Sequence, residues 1–252
     1  MSRLEDRLGQ AVAAFWGTRK RQQRQQARRG VKDQGTRGAV TGGGQLDGCV
    51  ELVAGLLVEA GIPPESIYRR KQADVPGFFR ATKQWDLIVV MGGNLLVSVE
   101  FKSQVGSFGN NYNNRSEEAI GNATDLWTAY RDGAFRQSCR PWLGYFMLLQ
   151  EAPGSLEPVR VAEPHFPAFE EFKGTIYAQR YEILCRKLVR ERLYDAACLV
   201  LSDRQQGAKG GYREPAADVG FARFVRCLRA HVVGHLATDP NQRTRPRRRR
   251  RR

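Results

Sequence analysis

No stretch of this 252-residue sequence approaches the roughly 18 consecutive apolar residues of a membrane-crossing helix, and the opening MSRLEDRLGQ is not built like a signal peptide. Cysteine is sparse and unpaired. Its five copies (Cys49, Cys139, Cys185, Cys198, Cys227) are scattered, odd in number and never spaced C-x-x-C. That excludes a disulfide framework and argues against a cysteine-ligated zinc. Of three histidines, only His231 and His235 have metal-ligand spacing, on an expected helix with no acidic or cysteine partner nearby. They read as ordinary helix residues. No internal repeat is present. The expectation is a soluble, intracellular protein with no membrane partner.

Acid is missing from two places, and this locates the net charge of +15. Residues 243–252 hold eight Arg and no acid, while residues 19–37 hold eight Lys or Arg against one Asp. Residues 38–242 carry 23 charges of each sign. A neutral body with two cationic flanks suits a polyanion. Nucleic acid ranks ahead of membrane because no apolar face accompanies the charge. The division expected is one domain over 1–242, in which 19–37 is a basic, partly flexible segment, and a disordered poly-Arg tail over 243–252.

Leu4, Leu8, Val12 and Phe15 repeat at helical spacing over 3–16, and the Gln-rich basic stretch 19–29 can extend that helix. A helix is expected over 46–60, closed by Gly61 and Pro63-Pro64. A hairpin over 86–91 and 95–103 follows. SFGNNYNNR reads as a loop, with Ser116 as N-cap of a helix running from Glu117 to about Tyr130. A strand near 142–149, a Pro-punctuated connection over 153–167, a helix near 175–192, a strand at 197–201 and a last helix over 218–234 complete an α/β order, a sheet covered by helices.

The hairpin carries the chemistry. Alternation puts Leu95, Val97, Val99 and Phe101 on one face of the second strand, and Ser98, Glu100 and Lys102 on the other. Asp86 shares a face with Ile88 and Val90. A two-residue Gly92-Gly93 turn sets Asp86 opposite Val99. A three-residue loop, Gly92-Gly93-Asn94, sets it opposite Glu100, and a bulge has the same effect. Two converging carboxylates repel unless a cation lies between them. Their oxygens, with the backbone carbonyl of Phe101, suit Mg²⁺. Lys102 can orient a water or stabilise developing charge, which outlines phosphodiester hydrolysis. Against this stands a plain surface salt bridge between Glu100 and Lys102. The alternatives by class are a non-catalytic DNA-binding protein and a structure-selective nuclease.

The segments PGFFRATKQWDLIVV, VEFKSQVGSFGNNYNNRSEEAIGNATDLWTAYRDG and PHFPAFEEFKGTIYAQRYEILCRKL resemble the XhoI family of type II restriction endonucleases, from about residue 4 to the last helix. D-x(13)-E-x-K on a hairpin resembles the PD-(D/E)xK nuclease core, with Trp85 where that label has proline. The resemblance implies a restriction-endonuclease-like fold with a central mixed sheet flanked by helices. It also implies Mg²⁺-dependent cleavage of double-stranded DNA at CTCGAG with 5′ overhangs, in a bacterial cytoplasm, within a restriction-modification system that includes a cognate DNA methyltransferase. Asp86, Glu100 and Lys102 match the core triad, and Glu51 is the candidate upstream helical acid. A palindromic site favours a homodimer. Asn110, Asn111, Asn113, Asn114 and Arg115 are candidates for base contacts, and Lys20, Arg21, Arg24 and Arg28 for phosphate contacts. Tyr112 and Trp127 are read as packing residues.

Overall fold

The computed structural model describes residues 3–28, 44–136 and 138–238. The basic segment from 29 to 37 and the Arg tail lie outside this description. Helix α1 (Leu4–Arg28) runs unbroken through the start of the cationic stretch, where Arg, Lys and Gln are good helix formers. Helix α2 (Asp47–Glu59) follows. Strands β1 (Ile67–Arg69), β2 (Asp74–Pro76) and β3 (Thr82–Gln84) come next, then β4 (Leu87–Met91) and β5 (Asn94–Gln104). Helix α3 (Phe108–Arg131), β6 (Trp142–Gln150), α4 (Tyr177–Arg190), β7 (Ala196–Ser202) and α5 (Phe221–Thr238) complete the long elements.

The main sheet has the order β1-β4-β5-β6-β7. The β1/β4 and β4/β5 pairs are antiparallel, and β5/β6 and β6/β7 are parallel. One face packs on α1, α2 and α5 through Phe15, Leu57 and Phe224. The other packs on α3 and α4 through Ala123, Leu126, Tyr181 and Leu188. A strand buried on both faces has no use for polar alternation, hence the continuous WLGYFMLL of β6. Among the described residues no helix is long and apolar enough to cross a membrane.

Two sequence expectations need correction here. SFGNNYNNR is not a loop, and Ser116 is not an N-cap. The left-handed residues that turn the chain are Gly106 and Ser107 (φ 70° and 46°), and the helix begins at once with buried Phe108. Tyr112, one turn later, meets Tyr181 edge-on at 5.2 Å, and its hydroxyl donates to the Arg180 carbonyl at 3.2 Å. This aromatic stripe anchors the helix against the weak propensity of its asparagines. The short strands β1, β2 and β3 were not foreseen, because three residues are too few to show periodicity.

The second correction concerns the hairpin turn. It is the two-residue Gly92-Gly93 form, both left-handed (φ 56° and 80°), closing Met91 against Asn94. The three-residue loop is not used. Register shifts instead at a bulge, where Val90 faces Leu95 but Val89 faces Val97, leaving Leu96 extra. Leu95 therefore joins the α3/α4 side of the sheet, and Leu96 lies with Val97, Val99 and Phe101 on the other. From Leu87 opposite Val99, the register carries Asp86 to the level of Glu100.

Candidate active site

Asp86 stands just before β4, and its Oδ2 accepts the backbone N–H of Phe101 at 2.7 Å. The N–H and C=O of one strand residue point to the same neighbour, so the Phe101 carbonyl faces the Asp86 side as well. Glu100 is almost completely buried, 1% exposed. Its Oε2 pairs with Lys83 at 3.0 Å, its Oε1 pairs with Lys102, and the Asn122 amide donates to Oε1 at 3.3 Å. Lys102 also lies 3.8 Å from Glu118, which Arg115 holds at 2.6 Å.

The two acids differ in charge environment. Burial first, then the nearby charge of Glu100, pushes the Asp86 carboxyl up to about 6, against the opposing effects of Phe101 N–H, Lys102 and Lys83. Burial works to raise Glu100 too, but Lys102 and Lys83 outweigh it and hold Glu100 below the usual range. Lys102 is raised, because Glu100, Asp86 and Glu118 together overcome burial. It stays an ammonium through the neutral range, fit to orient a water or stabilise negative charge.

This makes Asp86 a destabilising charge in the metal-free fold. A carboxyl raised from 3.8 to about 6 contributes stability below its unfolded value and loses it as pH rises through its folded one. Asp86→Asn removes the cost and keeps an acceptor for Phe101 N–H. At neutral pH with chelator present it should raise stability by about 1–2 kcal/mol, discounted for partial exposure. A lower thermal midpoint than wild type in that experiment would remove this reading of Asp86.

The other sequence candidates divide. A cleft of about 340 Å³ is lined by Asp86, Lys102, Asn111 and Arg115 together with Arg19 and Asp47. Asn110, Asn113 and Asn114 are exposed on the same stretch of α3 but do not line it. Glu51 lines a neighbouring cavity with Asp86, but its side chain is 60% exposed and pairs with Arg69 at 3.1 Å. Asp47, one turn earlier and paired with Arg70, borders both cavities, so it is the better-placed helical acid. Lys20, Arg21 and Arg24 are exposed on α1; the Arg28 side chain lies outside the described residues. Trp127 is buried and donates to the Leu193 carbonyl at 2.8 Å. His231 meets the Leu96 carbonyl at 3.1 Å, an ordinary packing contact.

Sequence reasoning missed Lys83, Asn122, Asp125 and Arg19. Asp125 is buried and accepts from Arg80 Nε at 2.8 Å, while Arg80 Nη2 donates to Asn122 Oδ1 at 2.8 Å. A usable signal existed on α3. Glu118, Asn122 and Asp125 fall at i, i+4 and i+7, a polar stripe on a helix whose neighbouring positions are apolar. Arg19 is 5% exposed and donates to Gln45 Oε1 at 2.6 Å, extending the buried stripe of α1 into the cleft.

Among the described residues no three His, Cys, Asp or Glu side chains converge into a ready-made metal centre. Asp86 and Glu100 are a pair, with hard oxygen donors only, and among the described residues Lys102 and Lys83 act on the Asp86 charge without forming an ion pair with it.

The model of the restriction endonuclease XhoI family matches residues 25–214. The chain belongs to the XhoI restriction endonuclease family. It is 50% identical over 212 residues to the type II restriction enzyme BstVI of Geobacillus stearothermophilus, covering 82% of this chain and 95% of that one. It is 43% identical over 188 residues to the type II restriction enzyme XhoI of Xanthomonas vasicola, covering 73% and 75%. To AbrI of Azospirillum brasilense it is 45% identical over 164 residues. No solved structure shows significant similarity to it. As a member of the XhoI family it is a type II site-specific deoxyribonuclease, and the readings as a non-catalytic binder or a structure-selective nuclease fall away.

Proposed function

We propose that this XhoI-family enzyme cleaves double-stranded DNA at CTCGAG, leaving 5′ overhangs, through Asp86, Glu100 and Lys102. The observation that carries the site assignment is the bulged hairpin register, which sets Asp86 level with Glu100 while Lys102 pairs with Glu100. The recognition sequence rests on the family resemblance. The cofactor we propose is Mg²⁺, held by Asp86, Glu100 and the carbonyl of Phe101. A Mg²⁺ site commonly uses only one or two carboxylates, with water and substrate phosphate completing the shell, so the donor set fits. When bound, Mg²⁺ supplies Lewis acidity toward the scissile phosphate and toward the attacking water.

The chain's own residues do the rest. Lys102 presents its ammonium to the incoming water and to charge developing on the phosphate, in line with departure of the 3′ oxygen. Lys83 and Asn122 fix the Glu100 carboxylate so that its free lone pairs have one direction. Asn111 and Arg115, a turn apart on α3 and bordering the cleft, are the best-placed candidates for base contacts. Two-fold symmetric DNA is served by a homodimer with one site per strand. The host cell then needs a cognate methyltransferase, and the enzyme works in the cytoplasm, where the DNA is.

Digestion of phage DNA with Mg²⁺ tests this. Discrete fragments with ends inside CTCGAG support it; fragments ending elsewhere overturn the site, and intact DNA overturns the chemistry. The exposed cations of α1 should act on affinity alone. Replacing Lys20, Arg21 and Arg24 by Ala together should reduce the slope of log affinity against log salt by about two to three. An unchanged slope would take the phosphate-contact role away from α1.

A further inference from the structure

We infer that Phe78 and Phe79 form an apolar wedge that contacts the bases of duplex DNA held at the Asp86–Glu100 site. The inference rests on the endonuclease reading of that site. Both rings are out in solvent, 49% and 70% exposed, and they pack edge-on to each other at 5.0 Å. They form the tip of the β2–β3 ribbon, a two-stranded sheet of its own.

An isolated two-stranded ribbon is marginal in water, yet this tip is held firmly. Asp125 Oδ1 accepts the backbone N–H of both Phe78 and Phe79 at 2.8 Å, and its Oδ2 accepts from Arg80. Gly77 permits the close approach. A Cβ there would come within 2.7 Å of the Arg80 carbonyl and 2.8 Å of Asp125. The fold thus uses a buried carboxylate and three hydrogen bonds to keep two large apolar rings in water. The hydrophobic core gains nothing from holding the two rings in water. A preorganised aromatic surface does, because little side-chain freedom remains to be lost on contact.

The occupant follows from where the tip is tied and what surrounds it. Arg80 bridges Asp125 to Asn122, and Asn122 donates to Glu100, so two side chains separate the tip's anchor from the catalytic carboxylate. Exposed Lys71 and Arg70, the latter paired with Asp47, precede the ribbon, and Arg80 at its tip is 44% exposed beyond its pairing with Asp125, so the ribbon carries positive charge that suits a phosphate backbone. Phe166 and Phe169, the other highly exposed rings, lack this setting; Lys187 already covers Phe169 at 5.1 Å. Apolar wedges that enter a base step, and Phe against a thymine methyl, are established ways for such a surface to meet DNA.

The test uses the full chain and the double variant Phe78→Ala/Phe79→Ala. Binding to a fluorescent duplex containing CTCGAG is followed by anisotropy with Ca²⁺ in place of Mg²⁺. Affinity should fall at least about tenfold, with unchanged thermal midpoint and an unchanged salt slope, since no ion pair is lost. Phe79→Trp, which keeps a large aromatic surface at the tip, should bind like wild type where Phe79→Ala binds weakly. Wild-type affinity in the double variant overturns the inference. So does loss of self-association with DNA affinity per dimer intact, which would assign the rings to a second copy of this chain. Wild-type digestion runs in parallel. If wild type cuts and the double variant binds normally, only the wedge fails; if wild type does not cut, the endonuclease reading fails and the wedge with it.

Discussion

Lys102→Ala should lower the single-turnover rate of DNA cleavage by about 10²–10³-fold while leaving the protein folded and able to bind its site. The choice of residue matters. Glu100 is the more obvious target, but it is buried between two ammonium groups and an amide. Glu100→Ala leaves Lys83 without its carboxylate and Lys102 with only the distant Glu118, which costs about 3–5 kcal/mol and confuses loss of chemistry with loss of fold. Lys102 is different. Removing it leaves Glu100 held by Lys83 and Asn122, so the acid stays compensated. The variant then reports on the charge opposite the phosphate. Rapid-quench cleavage with anisotropy on the same duplex separates the two quantities. Wild-type cleavage rates in Lys102→Ala would withdraw its catalytic role.

Asp125→Ala should act on stability and activity together. Its carboxylate is nearly completely buried, and Arg80 with the Phe79 and Phe78 amides holds it ionised against the effect of burial. Deletion leaves two backbone donors and a guanidinium without their acceptor, a loss of about 2–4 kcal/mol. It also frees Arg80 from its fixed angle, so Asn122 loses the partner that orients its amide toward Glu100. Cleavage should therefore drop more than tenfold even at temperatures where the variant is fully folded. Asp125→Asn, whose one oxygen can still accept both backbone amides but whose amide nitrogen cannot accept from Arg80, should recover only part of the stability. A variant with wild-type rate and midpoint would mean that the ribbon is not coupled to the site.

The hairpin of the candidate site was legible because period-two apolar strands make a carboxylate or ammonium in the middle conspicuous. Asp86, Glu100 and Lys102 stand out for that reason. The register was not fixed by the same signal. A loop extension and a bulge give the same pairing of Asp86 with Glu100, and only the fold distinguishes them, moving Leu95 to the opposite face. The Asn-rich block misled for a related reason. Asparagine favours turns, but the turning residues are Gly106 and Ser107, and the aromatic contacts of Phe108 and Tyr112 lie with α4, far along the chain.

What supports the site was harder to see. Lys83 and Asn122 meet Glu100 across 17 and 22 residues of sequence, and Asp125 meets Arg80, which holds Asn122, across 45. Such convergence depends on a three-residue ribbon landing on a helix, and neither element advertises the other. The candidate upstream acid is also ambiguous by one helical turn: helix periodicity brings Glu51 and Asp47 to the same side, and Asp47 is the one that borders both cavities.

We propose that the bulged hairpin makes Asp86 and Glu100 ligands of one cation. Titration of Mn²⁺, followed by electron paramagnetic resonance, into the protein bound to its duplex tests this without reference to turnover. Asp86→Asn and Glu100→Gln should each abolish the tight site seen in wild type, and the double variant should bind no worse than either single one. Tight binding of wild-type strength in either single variant would contradict a shared site.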